Sequence, residues 1–182
     1  MQASDLSWNH DTVIWQYNHE KVEIKIANII FCSIDTINEC INVTCGSNLI
    51  EEEVYLFSFD GTTLLHYRME SGTITWINDG VKITLVLDHI EQAFLYRSED
   101  LVLILNGKKE KILTAYSLDG SQYFQRIAPT NYKFSYLSRM RRLPSVVCEA
   151  ITKNEEDQFG RNQWHFSLDI QTAALEKTHL AY

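Results

Sequence analysis

Asp60-Gly61, Asp79-Gly80, Asn106-Gly107 and Asp119-Gly120 punctuate the chain and account for four of its seven glycines. Asp or Asn followed by Gly supplies the positive φ angles that tight hairpin turns demand. Each dipeptide lies between runs rich in β-branched and aromatic residues. Val54 to Phe59 precedes the first and Thr62 to Tyr67 follows it; Ile112 to Leu118 and Ser121 to Ile127 flank the last. Such turns between such runs read as antiparallel hairpins. Period-two alternation agrees: Val22, Ile24 and Ile26 alternate with Glu23 and Lys25, Ile74 and Trp76 with Thr73 and Thr75, and Tyr132, Phe134 and Tyr136 with Lys133 and Ser135. Each strand can then bury one face. The expected fold is all-β, built from antiparallel hairpins. Asp88-His89-Ile90-Glu91 has the form of a capping box ahead of Ala93 and Phe94, and one short helix is expected there.

At 182 residues the chain is sized for one domain, 1–182, with a core that needs no disulfide or metal staple. Apolar residues at 45% and charged residues at 22% place it among globular sequences. No secretory pattern opens the chain, and no apolar run approaches the ~18 residues that span a bilayer. The reading is cytoplasmic, with no membrane association. Cys32, Cys40, Cys45 and Cys148 lack the spacing of a disulfide framework. Cys40 and Cys45 have no second ligand pair to complete a zinc site, so inert thiols are expected and no metal. Asn42-Val43-Thr44 matches a glycosylation acceptor that is idle in the cytoplasm.

Phe57-Ser58-Phe59-Asp60, Tyr116-Ser117-Leu118-Asp119 and Phe166-Ser167-Leu168-Asp169 share an aromatic-Ser-apolar-Asp pattern, with Phe31 to Asp35 as a degraded fourth copy. Val54 to Ile77 reads as strand, turn at Asp60-Gly61, strand, turn at Ser71-Gly72, strand. That rhythm resembles a blade of the quinoprotein-like and WD40-like β-propeller families, and the resemblance implies a propeller or partial propeller. The Trp-Asp dipeptide of WD repeats is absent, and no cofactor residues carry over. At ~40–45 residues per blade the chain could hold about four blades, whereas the repeat supplies three units. A β-sandwich or barrel is the alternative architecture. Open edges left by three units would need covering. The strand-like segment Gln163 to Tyr182 could pair with Thr12 to Tyr17, or with a second copy in a two-fold homodimer.

No motif names a reaction. The six histidines are scattered without ligand spacing, Asp88-His89 lacks a third partner, and His66 reads as a strand residue. Glu51-Glu52-Glu53 reads as a solvated run before a strand, and Lys108-Lys109-Glu110-Lys111 as an exposed hairpin tip. Neither a serine-nucleophile motif nor a phosphate or dinucleotide loop is present, and nothing calls for a cofactor.

Ser121 to Cys148 stands apart. It carries Arg126, Lys133, Arg139, Arg141 and Arg142 without a single Asp or Glu, alongside Tyr123, Phe124, Tyr132, Phe134 and Tyr136, in a chain of formal charge −8. Arginine beside aromatics is the composition of contact surfaces. Arg126, Lys133, Tyr136, Arg139, Arg141 and Arg142 are therefore the expected binding residues, for a protein partner or an acidic ligand. The acidic whole argues against nucleic acid. The preferred expectation is a non-enzymatic interaction module. The alternatives are a hydrolase-like enzyme assembled from distant carboxylates and histidines, and a small barrel carrying an apolar ligand.

Overall fold

A computed structural model of the chain describes residues 2–140 and 143–181, with the backbone alone at 139, 140 and 143. Strand makes up 59% of it and helix 3%, which establishes the all-β, antiparallel fold expected from the turns. The described residues form four sheets, and within every sheet consecutive strands are neighbours. None of their helical turns is long and apolar enough to cross a membrane. The chain divides into two compact units, Met1–Leu87 and Asp88–Tyr182.

In the first unit, β1 (Ser4–Trp8), β2 (Thr12–Tyr17) and β3 (Glu20–Lys25) form a three-stranded sheet. Both edges of β2 are thereby filled. A six-stranded sheet follows: β4 (Ile29–Asp35), β5 (Cys40–Cys45), β6 (Glu53–Ser58), β7 (Thr63–Arg68), β8 (Thr73–Asn78) and β9 (Val81–Val86). Val13 and Trp15, alternate residues of β2, pack with Cys32, Ile41, Val43 and Phe57 in one core. Trp15 is fully buried, and its indole Nε1 donates to the Phe59 carbonyl at 2.6 Å, fastening one sheet to the other. Leu65, Ile74 and Trp76 on the opposite face of the larger sheet are equally buried.

In the second unit, β10 (Ile90–Tyr96), β11 (Leu101–Asn106), β12 (Ile112–Ser117) and β13 (Gln122–Arg126) form one sheet. β14 (Tyr132–Met140), β15 (Leu143–Ala150), β16 (Gln163–Leu168) and β17 (Leu175–Leu180) form the other. Leu103, Leu105, Leu113, Phe134, Val146 and Phe166 meet in their shared core. Side chains close the outer edge of β14: Gln92 Oε1 accepts from the Leu137 amide at 2.6 Å, and Lys111 Nζ donates to the Ser135 carbonyl at 2.8 Å. Edge backbone groups are thus satisfied without a further strand.

The expected helix after Asp88 is not there. Ile90–Tyr96 is strand β10, and the helical pieces described are single 3-10 turns at Arg97–Glu99 and Lys153–Glu155. Pairing with the unbroken apolar run of β11, in register from Gln92 to Tyr96, outweighs a local capping pattern. The alternation of Tyr132, Phe134 and Tyr136 is interrupted as well. A bulge between Phe134 and Tyr136 leaves Phe134 buried and both tyrosines half-buried.

The turns behave as the sequence predicts. Asp79 and Gly80 both take positive φ, 49° and 77°, in the two-residue link from β8 to β9. The aromatic-Ser-apolar-Asp pattern falls between the third and fourth strands of three sheets: β6 to β7, β12 to β13 and β16 to β17. In each copy, and in the degraded copy ending at Asp35, the aspartate accepts a backbone N–H two residues on. The distances are 3.0 Å at Asp35, 3.0 Å at Asp60, 2.9 Å at Asp119 and 2.8 Å at Asp169. The pattern therefore marks a strand end and an Asx turn.

Candidate functional site

A cleft of about 520 Å³ opens in the second unit. Its walls are the link from β11 to β12 (Lys109, Glu110, Lys111) with Ile112, the exit of β13 (Ile127, Ala128), and the start of β14 (Tyr132 to Ser135) with Glu149 of β15. Gly107, at φ 110°, bends the first wall so tightly that a Cβ would lie 2.3 Å from the Glu110 carbonyl oxygen, so only glycine fits. The carbonyl of Pro129, three residues past the end of β13, accepts the Tyr132 amide at 3.0 Å, a turn that leads into β14.

The lining is mixed. Ile112, Ile127, Ala128 and Phe134 supply apolar surface, and Ile127 is 76% exposed. Three ammonium groups surround it. Lys111 is held by Glu91 at 2.9 Å and by the Ser135 carbonyl, and Lys133 by Glu149 at 3.2 Å. Lys109 has no partner among the described residues. Tyr132 is fixed from outside the cleft: its hydroxyl donates to Glu155 and accepts from Lys177 Nζ at 2.5 Å. Lys177 also lies 3.9 Å from the Trp164 ring centre. Hydrogen bonds from Tyr132 and then Lys177 hold the Glu155 carboxyl below its ordinary range.

Of the residues expected from sequence, Lys133 lines the cleft. Arg126 is engaged elsewhere: its guanidinium donates to the carbonyls of Ala173 at 3.0 Å and Thr172 at 3.3 Å, clasping the turn between β16 and β17. Tyr136 is half-buried on β14 opposite Val147. Arg139 pairs with Pro144 near the end of β14, and Arg141 and Arg142 lie outside the described residues. Lys109 and Lys111 read from sequence as an exposed hairpin tip, and Ile127 and Phe134 as strand residues, so none of the four is expected at a binding site from its sequence context. The only local signal is Ile127 itself, an apolar residue placed just before Ala128-Pro129 at a strand exit.

A second cluster, on β6 and β7, was also missed. Glu53 Oε1 accepts from His66 Nε2 at 2.5 Å, Arg68 Nε at 2.7 Å and the Tyr55 hydroxyl at 2.9 Å. The His66 ring stacks on Tyr55 at 4.2 Å. Burial pushes the Glu53 carboxyl up, and the three hydrogen bonds outweigh it and hold the group below its usual range. With one oxygen accepting three donors, the cluster is a cross-strand clamp. Among the described residues, no three metal-ligating side chains gather into a site.

No known protein family model matches this chain, and no curated protein matches it.

Proposed function

We propose that this chain is a non-enzymatic binding module, and that the cleft between the β11–β12 link and β14 receives an apolar side chain of a protein partner with an acidic residue beside it. The observation that carries the reading is Ile127. It is 76% exposed and lines the cleft together with Ile112, Ala128 and Phe134, and Lys109, which has no partner among the described residues, lines the same cleft in a chain whose formal charge is −8. An apolar anchor beside a charge contact is the common anatomy of a recognition pocket. Glu110 and Glu149 on the same rim disfavour a polyanion such as nucleic acid.

The four successive meanders are the blades of a propeller-like fold in this reading. Its support is the recurrence of one Asx turn between the third and fourth strands of three sheets. Cys32, Cys45 and Cys148 are buried free thiols, which suits a reducing compartment such as the cytoplasm.

Selection of a displayed peptide library on the whole chain tests the binding site. Enriched sequences should carry Asp or Glu next to a large apolar residue. Ile127→Asp should weaken their binding by at least about tenfold, some ~1.4 kcal/mol, with an unchanged unfolding midpoint because the residue is exposed. Binders with no acidic bias, or binders indifferent to Ile127→Asp, would overturn the assignment.

A further inference from the structure

The last strands of the four sheets differ in how they meet solvent. β3 (EKVEIK) and β17 (LEKTHL) are charged, β13 (QYFQR) is polar, and all three are mostly exposed. β9 reads VKITLV, with Lys82 its single charge, and it ends a six-stranded sheet. Val81 is 60% and Val86 72% exposed on it, and Ile77 on neighbouring β8 is 44% exposed. A long apolar edge with one charge is what proteins ordinarily avoid, because it invites another strand.

The ladder shows which groups that strand would meet. The Leu87 amide donates to the Gly72 carbonyl at 2.9 Å, and β8 and β9 pair from Thr73 with Val86 to Asn78 with Val81. Hydrogen-bonded pairs alternate along an antiparallel ladder. The backbone groups of Val81, Ile83 and Leu85 therefore turn toward β8, and those of Lys82, Thr84 and Val86 face the open edge.

We propose that β9 is a self-association edge, where a second copy of this chain adds antiparallel about a two-fold axis at Leu85. The sequence around that point is self-complementary. Leu85 meets its own copy, Thr84 meets Val86 of the second copy, Ile83 meets Leu87, and Lys82 meets Asp88. The residues that exchange backbone hydrogen bonds in this register, Thr84 with Val86, are the ones whose groups face outward. Two symmetric Lys82–Asp88 contacts select a second copy over a neutral strand, and two-fold pairing consumes the edge on both sides, so growth stops at the dimer. The inference is independent of the cleft.

Sedimentation velocity over a micromolar concentration series tests it. The wild-type chain should dimerise. Thr84→Pro removes one outward N–H without touching the bonds to β8, at an edge position where proline is tolerated, and should leave a folded monomer. Lys82→Glu should weaken the dimer about tenfold, and Lys82→Glu with Asp88→Lys should restore it. A strictly monomeric wild type, open-ended oligomers, or a dimer untouched by Thr84→Pro would overturn the proposal. Failure of the double variant to recover would overturn the Leu85-centred register.

Discussion

Burial decides the chemistry of single residues here more than their type does. Desolvation pushes the Cys32 thiol up to about 12, helped by Cys45, and burial alone does the same for Cys148; Cys45 is pushed to about 11 by burial and then by Glu53. A thiolate is the reactive form, so the native protein should resist iodoacetamide at mildly alkaline pH and label fully once unfolded. Fast native labelling of any of these three would show that the cores open. Trp15 is the matching test of packing. Trp15→Phe leaves the buried Phe59 carbonyl without its donor and should lower stability by roughly 1–3 kcal/mol in urea unfolding. Trp15→Ala adds a cavity and should cost about 3–5 kcal/mol. If Trp15→Phe is neutral, the link between the two sheets of the first unit is not the one described. Arg126 shows what a residue type alone conceals. Its surroundings in the sequence have the composition of a contact surface, but the partners it meets are carbonyls of its own chain.

At the scale of elements, the Asx turns make a prediction about acid. The carboxyls of Asp60, Asp119 and Asp169 are held below their ordinary values, chiefly by Ser58, by Ser121 and by the Thr172 amide respectively. A carboxyl depressed on folding contributes stability that is complete above its unfolded value of about 3.9, and that contribution is lost as pH falls through the folded values. Asp60→Asn, Asp119→Asn and Asp169→Asn combined keep the turn acceptor and remove the titration. The triple variant should therefore lose less stability than the wild type between about pH 5 and pH 2. An equal acid loss would mean these turns contribute nothing through charge. The same turns explain what was legible in the sequence. Asp-Gly and Asn-Gly dipeptides act over three or four residues, so hairpin positions could be read directly. The capping pattern at Asp88 is equally local and misled, because the pairing of β10 with β11 depends on residues too distant for a local signal to weigh.

For the chain as a whole, the cleft is the least legible feature and the central one. Its walls come from residues 109–112, 127–128, 132–135 and 149, which only the packing of two sheets brings together. Of the residues expected from sequence, Lys133 lies in these walls and Arg126 binds carbonyls of its own chain, whereas Lys109 and Lys111 read from sequence as an exposed hairpin tip. Amide chemical-shift mapping with a library-selected peptide, one carrying an acidic residue beside a large apolar one, tests the account most directly. Perturbations should concentrate at Lys109 to Ile112, Ile127, Ala128 and Tyr132 to Ser135, leaving Glu53 to Arg68 and β9 unmoved. Perturbations centred on the Glu53 cluster or on β9, with the cleft silent, would contradict it.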